Sequence, residues 1–596
     1  MAITTDVEQV AWDLEPLLPA AGEAGVDQLL DHADEVTGSI EAYRGRIGEL
    51  DAAGLVELLR LIEEVADAVG RAGNYAMLRF SVDTADPAIA ALMQRVQERA
   101  TAIGTRQLFV ELEWAALSDA QADSLLANDS LAFARHHLAS LRRYRTHLLT
   151  EPEEVILSEK SVTGAGAWSR LYDELNSVIT VELDGGDASL EVALSRLNDP
   201  AVEVRRQTAA AVTEGLEPGI RTRAFIYNTL LADKSTDDRL RHYPNWVSSR
   251  NLANEASDES VAALVEAVVR RYSIPQRWYD AKAKILGLDG LDDWDRYATV
   301  ANDVASFDWS AGCDLVLDAY GSFSPEMADI VRRFLTESWI DAPVRPGKRG
   351  GAFCAYTVPG HHPYLLLNWT SRRRDVLTLA HELGHGIHAY LSRGQGAFHQ
   401  DTPLTLAETA SVFGETVTFG RLLDTVEDPV DRLPLLAEHL EDQIATVFRQ
   451  IAMWKFEDLA HTARRSEGEL SIERFGELWY ETQHEMLGDS VRLSDGYRSW
   501  WSYIPHFIHT PGYVYAYAYG QLLALSVYAR YEAEGESFVP SYLELLGSGG
   551  SKSPEELGRI VGVDLADPKF WDGGLDIIER TLSDTLAAAR AAGRLA

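Results

Sequence analysis

Cysteine is nearly absent from this chain: Cys313 and Cys354 are the only two in 596 residues, too few for a disulfide framework. Positive charge is also scarce. Only 54 Lys and Arg stand against 92 Asp and Glu, a formal net charge of −38. No basic stripe offsets that balance, which argues against nucleic acid and anionic membrane surfaces as partners. The start, Met1-Ala2-Ile3-Thr4-Thr5-Asp6, has no basic n-region leading into an apolar core, so no signal peptide is expected there. Charge is missing altogether from Phe507 to Ala529, a length sufficient to cross a bilayer. That run nevertheless carries Tyr513, Tyr515, Tyr517, Tyr519, Tyr528, His509 and Gln521. Hydroxyls so dense fit a polar-lined cavity better than lipid, and the expectation is a soluble, cytoplasmic protein. Internal repeats and low-complexity segments are lacking too.

What is present is ample material for a core, with 46% hydrophobic residues. A chain of this length exceeds one compact core, so two or more lobes are expected. Helical patterning dominates, as in the amphipathic run Val56 to Ile62. The pattern changes over Ile179 to Leu183, Asp184-Gly185-Gly186-Asp187 and Leu190 to Val192, which read as a β-hairpin with a turn-rich centre. A boundary there divides an N-terminal helical lobe, residues 1–190, from residues 191–596. Pro343 to Gly351 reads as a flexible stretch. Ala352 to Val358 and Tyr364 to Trp369, joined by a Pro359-Gly360-His361-His362-Pro363 turn, then read as two strands.

Directly after those strands comes His381-Glu382-Leu383-Gly384-His385. A helix turns about 100° per residue, so positions four apart lie about 40° from one another around its axis. His381 and His385 therefore point the same way and can share one Zn²⁺, with Glu382 beside them to take a proton from a metal-activated water. Apolar flanks at Val376, Leu377, Leu379, Ala380, Leu383, Ile387, Tyr390 and Leu391 support a buried helix. His484-Glu485-Met486-Leu487-Gly488 begins alike but lacks the second histidine, and reads as ordinary helix surface. The two strands before the helix either pack it or present an edge to an extended peptide, and both readings are open.

A catalytic zinc takes three protein ligands and leaves one position for water. The metzincin arrangement needs Gly at 388 and His at 391; His388 and Leu391 exclude it. His388 lies a further turn along the same helix and reads as packing or support. Downstream, Thr405-Leu406-Ala407-Glu408-Thr409-Ala410-Ser411-Val412-Phe413-Gly414-Glu415 is helical in pattern and neutral apart from two glutamates. Glu408 is the favoured third ligand, because Ala407, Ala410 and Ser411 would let this helix come close to the first. Glu415, two turns on, would orient a ligand histidine. Thr405 and Glu408 also match a capping box, which is the structural alternative.

Near the C-terminus, His506, His509, Tyr513 and Tyr517 offer donors with few competing charges. By themselves they read as an aromatic cluster. Set beside the other motifs, they complete a resemblance to the oligoendopeptidase F branch of the thimet oligopeptidase family of zinc metallopeptidases. It is carried by Trp12-Asp13-Leu14, the H-E-L-G-H-x-x-H helix with Leu377-Thr378-Leu379-Ala380, and Ala407-Glu408-Thr409-Ala410-Ser411. It continues through Pro505-His506-Phe507, Tyr513-Val514-Tyr515, Tyr517-Ala518, Gly549-Gly550-Ser551-Lys552-Ser553-Pro554 and Gly562-Val563-Asp564-Leu565.

The resemblance implies a mainly α, large two-lobed fold with a deep substrate channel and a small β-sheet beside the zinc helix. It implies endopeptidase action on short unstructured peptides, with one Zn²⁺ per chain held by His381, His385 and Glu408, and Glu382 as general base. Tyr513 would stabilise the transition state, with His506 and Tyr517 assisting at the substrate. Three departures stand out: the family's aromatic before its first tyrosine is Gly512 here, His509 intrudes nearby, and the spacing from His506 to Tyr513 is slightly stretched. They leave the catalytic histidine open between His506 and His509. The rival readings are a dipeptidyl carboxypeptidase-type exopeptidase and a silent peptide-binding protein. Glycines 547, 549 and 550 with Lys552 lack the spacing of a phosphate loop, and Ser553-Pro554-Glu555-Glu556 reads as a helix start.

Overall fold

The computed structural model describes residues 6–300 and 306–595. Helices make up 73% of it and the sheets are small, so the fold is mainly α. The chain packs as two compact units, each built from three separate stretches. One comprises Met1–Arg145, Ala305–Asp424 and Arg530–Asp564; the other comprises Thr146–Val304, Thr425–Ala529 and Leu565–Ala596. This division follows packing and crosses the linear one drawn near residue 190. Among the described residues no helix is long and apolar enough to cross a membrane. The uncharged run from Phe507 is instead a short helix, His506–His509, followed by the buried first half of Tyr515–Glu534.

In the first unit, three long helices, Glu23–Glu41, Ala52–Val82 and Pro87–Ala116, bury Leu30, Ile40, Leu58, Leu78, Val96 and Trp114 in one core. Local chemistry sets their starts: Asp51 accepts from Gly54 N–H, and Asp86 caps the helix that opens on Pro87. The second unit has its own core around Tyr227, Phe456, Phe475, Trp479, Trp501 and Phe507.

The hairpin is shorter than the sequence pattern implies. Strands β1 (Thr180–Leu183) and β2 (Gly186–Ser189) pair antiparallel around Asp184 and Gly185, both at positive φ, which is the two-residue turn that suits strand twist. Leu190 to Val192, read as strand, are helical, because the Ser189 side chain accepts from Val192 N–H and starts a helix. Short β3 (Leu291–Asp292) pairs with β7 (Val491–Arg492) in the same unit.

The sheet that matters for the site has the order β4 (Ile340–Pro343), β6 (Tyr364–Trp369), β5 (Phe353–Ala355). The last two were legible; β4 was not, and it runs parallel to β6 through a register shift before Pro343. The segment read as flexible is tied down. Lys348 reaches back to buried Asp341 at 2.6 Å, and Arg345 meets the same carboxylate at 2.8 Å. β5 is an edge strand: among the described residues no strand pairs with its outer side.

Candidate active site

The helix carrying His381 and His385 spans Arg373–Ser392, and the one carrying Glu408 spans Leu404–Asp424. They cross in close contact because glycine allows it. A Cβ built on Gly384 would lie 2.4 Å from the Ala410 carbonyl oxygen, and one on Gly414 would strike the Tyr320 hydroxyl. That hydroxyl donates to the Ala380 carbonyl at 2.7 Å, locking the first helix one residue before His381. Tyr542, from the last segment of the same unit, donates to the Thr409 carbonyl at 3.1 Å and stacks on Phe413.

This crossing brings His381, His385 and Glu408 together, with one donor atom from each within 4.8 Å of the others. His381 Nε2 lies 3.4 Å and His385 Nε2 3.5 Å from the same Glu408 oxygen. Ligands of a tetrahedral zinc with bonds of about 2.0–2.1 Å stand about 3.4 Å apart, so the donor set fits that ion in type and spacing. Thr405 lies inside its helix, and the Glu408 carboxylate is turned towards the two histidines and held by the Ser411 hydroxyl at 2.5 Å. The capping box is not what this glutamate makes.

Glu415 stands 3.3 Å from His381 Nδ1, so a proton there leaves Nε2 free as a ligand. Burial works against a charged His381, but the carboxylates of Glu415, Glu408 and Glu382 outweigh it and raise its pKa to about 9. Burial lowers His385 to about 4, although Glu408 pulls the other way. Glu382, 7% exposed, is pushed up to about 7 chiefly by burial, with nearby His381 opposing. Three carboxylates around two histidines make a pocket whose negative charge a dication would largely offset. Replacing Glu415 with Ala is expected to weaken metal binding by about 10- to 100-fold, measured by competition against a chromophoric chelator.

Glu382, His381 and His385 line an open cleft of about 480 Å³ together with Phe353 and Cys354 of β5 and Tyr356 just beyond it. The cleft therefore runs along the edge strand. Cys354 and Tyr356 were not singled out by sequence, since a lone thiol and phenol in a short strand carry no spacing signal. Burial pushes the Cys354 thiol well above its usual value, so it stays protonated. His388 is buried with Nδ1 unpartnered among the described residues, and burial lowers its pKa to about 3. It is buried and neutral, which is compatible with either packing or support. His484 and Glu485 lie exposed on their helix, as read.

The second group lies in the other unit. His506 Nε2 is 3.2 Å from the Tyr517 hydroxyl, and its ring is parallel to that of Tyr513 at 6.3 Å. Tyr513 and Tyr517 meet edge to face at 5.1 Å. His509 is turned elsewhere: Nε2 is 2.8 Å from an Asp173 carboxylate oxygen, and its ring edges Tyr172. The structure thus groups His506, Tyr513 and Tyr517 and leaves His509 out.

Residues 321–577 match the model of peptidase family M3, and residues 113–180 match a model described as oligopeptidase F. The chain belongs to peptidase family M3, in its oligoendopeptidase F branch. Oligopeptidase PepF of Bacillus subtilis is 26% identical to this M3 peptidase over 96% of this chain and 86% of its own length. Group B oligopeptidase PepB of Streptococcus agalactiae is also 26% identical, over 96% of both. Among solved structures, oligoendopeptidase F of Enterococcus faecium superposes with a TM-score of 0.71 at 20% identity, covering 95% of this chain and 99% of its own. A chain from Chlamydophila abortus reaches a TM-score of 0.87 at 23% identity, over 97% and 98% of the two chains. Those likenesses establish a shared fold, and the family establishes a peptidase acting on oligopeptides.

Proposed function

We propose that this M3 peptidase is a cytoplasmic zinc endopeptidase that hydrolyses short unstructured oligopeptides. The observation that carries the reading is the donor geometry: two imidazole nitrogens at 3.4 and 3.5 Å from one carboxylate oxygen, the spacing of a tetrahedral zinc site. Bound there, zinc supplies a Lewis acid that makes water acidic near neutral pH and polarises the scissile carbonyl. His381, His385 and Glu408 would hold it, and Glu415 would fix the His381 tautomer.

Glu382 takes the proton from the attacking water and returns it to the leaving amine. Burial that holds its carboxyl near 7 supports that exchange, because the group can carry a proton without holding it tightly. The peptide's main chain adds to the outer edge of β5, where hydrogen bonds to the backbone ignore side-chain identity. Tyr513 donates to the oxygen that gains charge. His506 is the assisting histidine, supported by its contact with Tyr517 and by the diversion of His509 to Asp173.

The test is an end-blocked, internally quenched peptide incubated with metal-analysed protein, with and without chelator, and products mapped by mass. Internal cleavage that chelation stops and zinc restores is the expected result. Cleavage only of free-ended peptides would instead identify an exopeptidase, and none of either kind a silent binder.

A further inference from the structure

Tyr513 follows a glycine whose backbone conformation and close neighbours disfavour any side chain. Gly512 sits at φ +73°, and a Cβ on it would lie 3.2 Å from both the Trp246 ring and the Val247 side chain. The turn is closed by Tyr513 N–H donating to the Thr510 carbonyl at 3.0 Å and by Ala516 N–H donating to the Tyr513 carbonyl at 2.9 Å. Two polar side chains grip it. Glu457 Oε1 accepts the Gly512 N–H at 3.0 Å, and Arg250 Nε donates to the Pro511 carbonyl at 3.2 Å. The helix Gln450–Glu467 that supplies Glu457 also braces the far side of the turn. Asp458 accepts from the Trp246 indole at 2.7 Å, and His461 stacks on the same ring at 4.2 Å.

Glu457 is fully buried, and its second oxygen has no hydrogen-bond partner among the described residues. A carboxyl in that state is expensive, and stability alone would favour an apolar residue in its place. Burial pushes it up to about 8, with the Gly512 N–H and Arg250 opposing, so at neutral pH it carries a proton on the free oxygen. It is thus a neutral hydrogen-bond acceptor aimed at one backbone amide.

We propose that Glu457 and Arg250 are positioning residues for Tyr513, fixing the Pro511–Gly512 turn so that its phenol stands where the peptidase reaction needs a donor. This rests on the reading that Tyr513 acts in catalysis. A donor must stand within a few tenths of an ångström of the oxygen that gains charge, and a displacement of about 1 Å can cost about 100-fold. Held at both the carbonyl and the amide of the one Pro511–Gly512 peptide group, the turn has little freedom to let the phenol drift.

The test is a series of kcat and KM measurements on full-length, metal-analysed protein: Glu457→Gln, Glu457→Leu, Arg250→Met, Tyr513→Phe and the double variant E457L/Y513F. Glu457→Gln keeps a neutral acceptor and is expected to retain kcat within about threefold. Glu457→Leu is expected to lower kcat by about 100-fold with KM and zinc content unchanged, and Tyr513→Phe by about as much or more. The double variant is expected to be no worse than Tyr513→Phe alone, since a phenol that is gone cannot be misplaced. Independent, multiplying losses in the double variant would overturn the proposal, as would wild-type kcat in Glu457→Leu. Full kcat in Tyr513→Phe would remove the role of Tyr513 and the proposal with it, a result distinguishable from failure of the positioning alone. If Glu457→Leu does not fold, Arg250→Met provides the same comparison against Tyr513→Phe from the carbonyl end of the same peptide group.

Discussion

Glu382→Gln is expected to lower kcat by about 10³- to 10⁴-fold while leaving zinc stoichiometry and peptide affinity unchanged. The amide fills the same volume and keeps a carbonyl beside the histidines, but it cannot accept and return a proton. The position is buried, and burial penalises the carboxylate that the reaction requires. The Gln protein is therefore expected to be at least as thermally stable as the parent, a signature of a residue kept for chemistry rather than for the fold. Single-turnover assays with metal analysis would measure the first effect, and a thermal melt the second. Hydrolysis within tenfold of the parent would remove Glu382 as the base.

Gly384→Ala is the second large effect, and it acts through the backbone. The added methyl would stand 2.4 Å from the Ala410 carbonyl oxygen and 2.5 Å from the Ser411 Cα, contacts that no side-chain rotation relieves. The two helices must separate or shear, which costs about 1–3 kcal/mol or more by overpacking, offset by up to about 1 kcal/mol of helix propensity. The separation also pulls Glu408 away from His381 and His385, whose 3.4 and 3.5 Å spacings leave little slack for a metal. Lower thermal stability and at least tenfold weaker metal binding are expected together. Gly394→Ala, where a Cβ meets nothing within 4 Å, is the control and is expected to change neither by much. Normal metal affinity in Gly384→Ala would show that the ligands do not depend on this crossing.

The parts of the site legible in the sequence are those whose geometry is local. His381, Glu382 and His385 are set by one helical turn, and Glu408 and Glu415 by the neutral helix around them. Gly384 was in view as an unassigned position inside the motif, but its need for a bare backbone comes from Ala410, about 26 residues away. The same limit hid β4, whose partner β6 follows after a connection full of Pro and Gly. It also extended the hairpin into Leu190 to Val192, where a Ser cap outweighed the apolar–polar alternation. Glu457 had no signal at all. Its chemistry depends on burial and on the Gly512 amide, and neither is written within its own helix.

The three-stretch construction of each unit has a consequence for synthesis. The helices bearing His381 and Glu408 are complete in the nascent chain at Asp424, yet Arg530–Asp564, which finishes their unit, emerges about 140 residues later. At about 5–20 residues per second, the ribosome takes roughly 7 to 28 seconds to deliver it. Until then Phe413 and Thr409 lack Tyr542, and apolar faces meant for one another wait in the open. Apolar surface exposed for that long invites aggregation, and neither unit is encoded by one uninterrupted gene fragment.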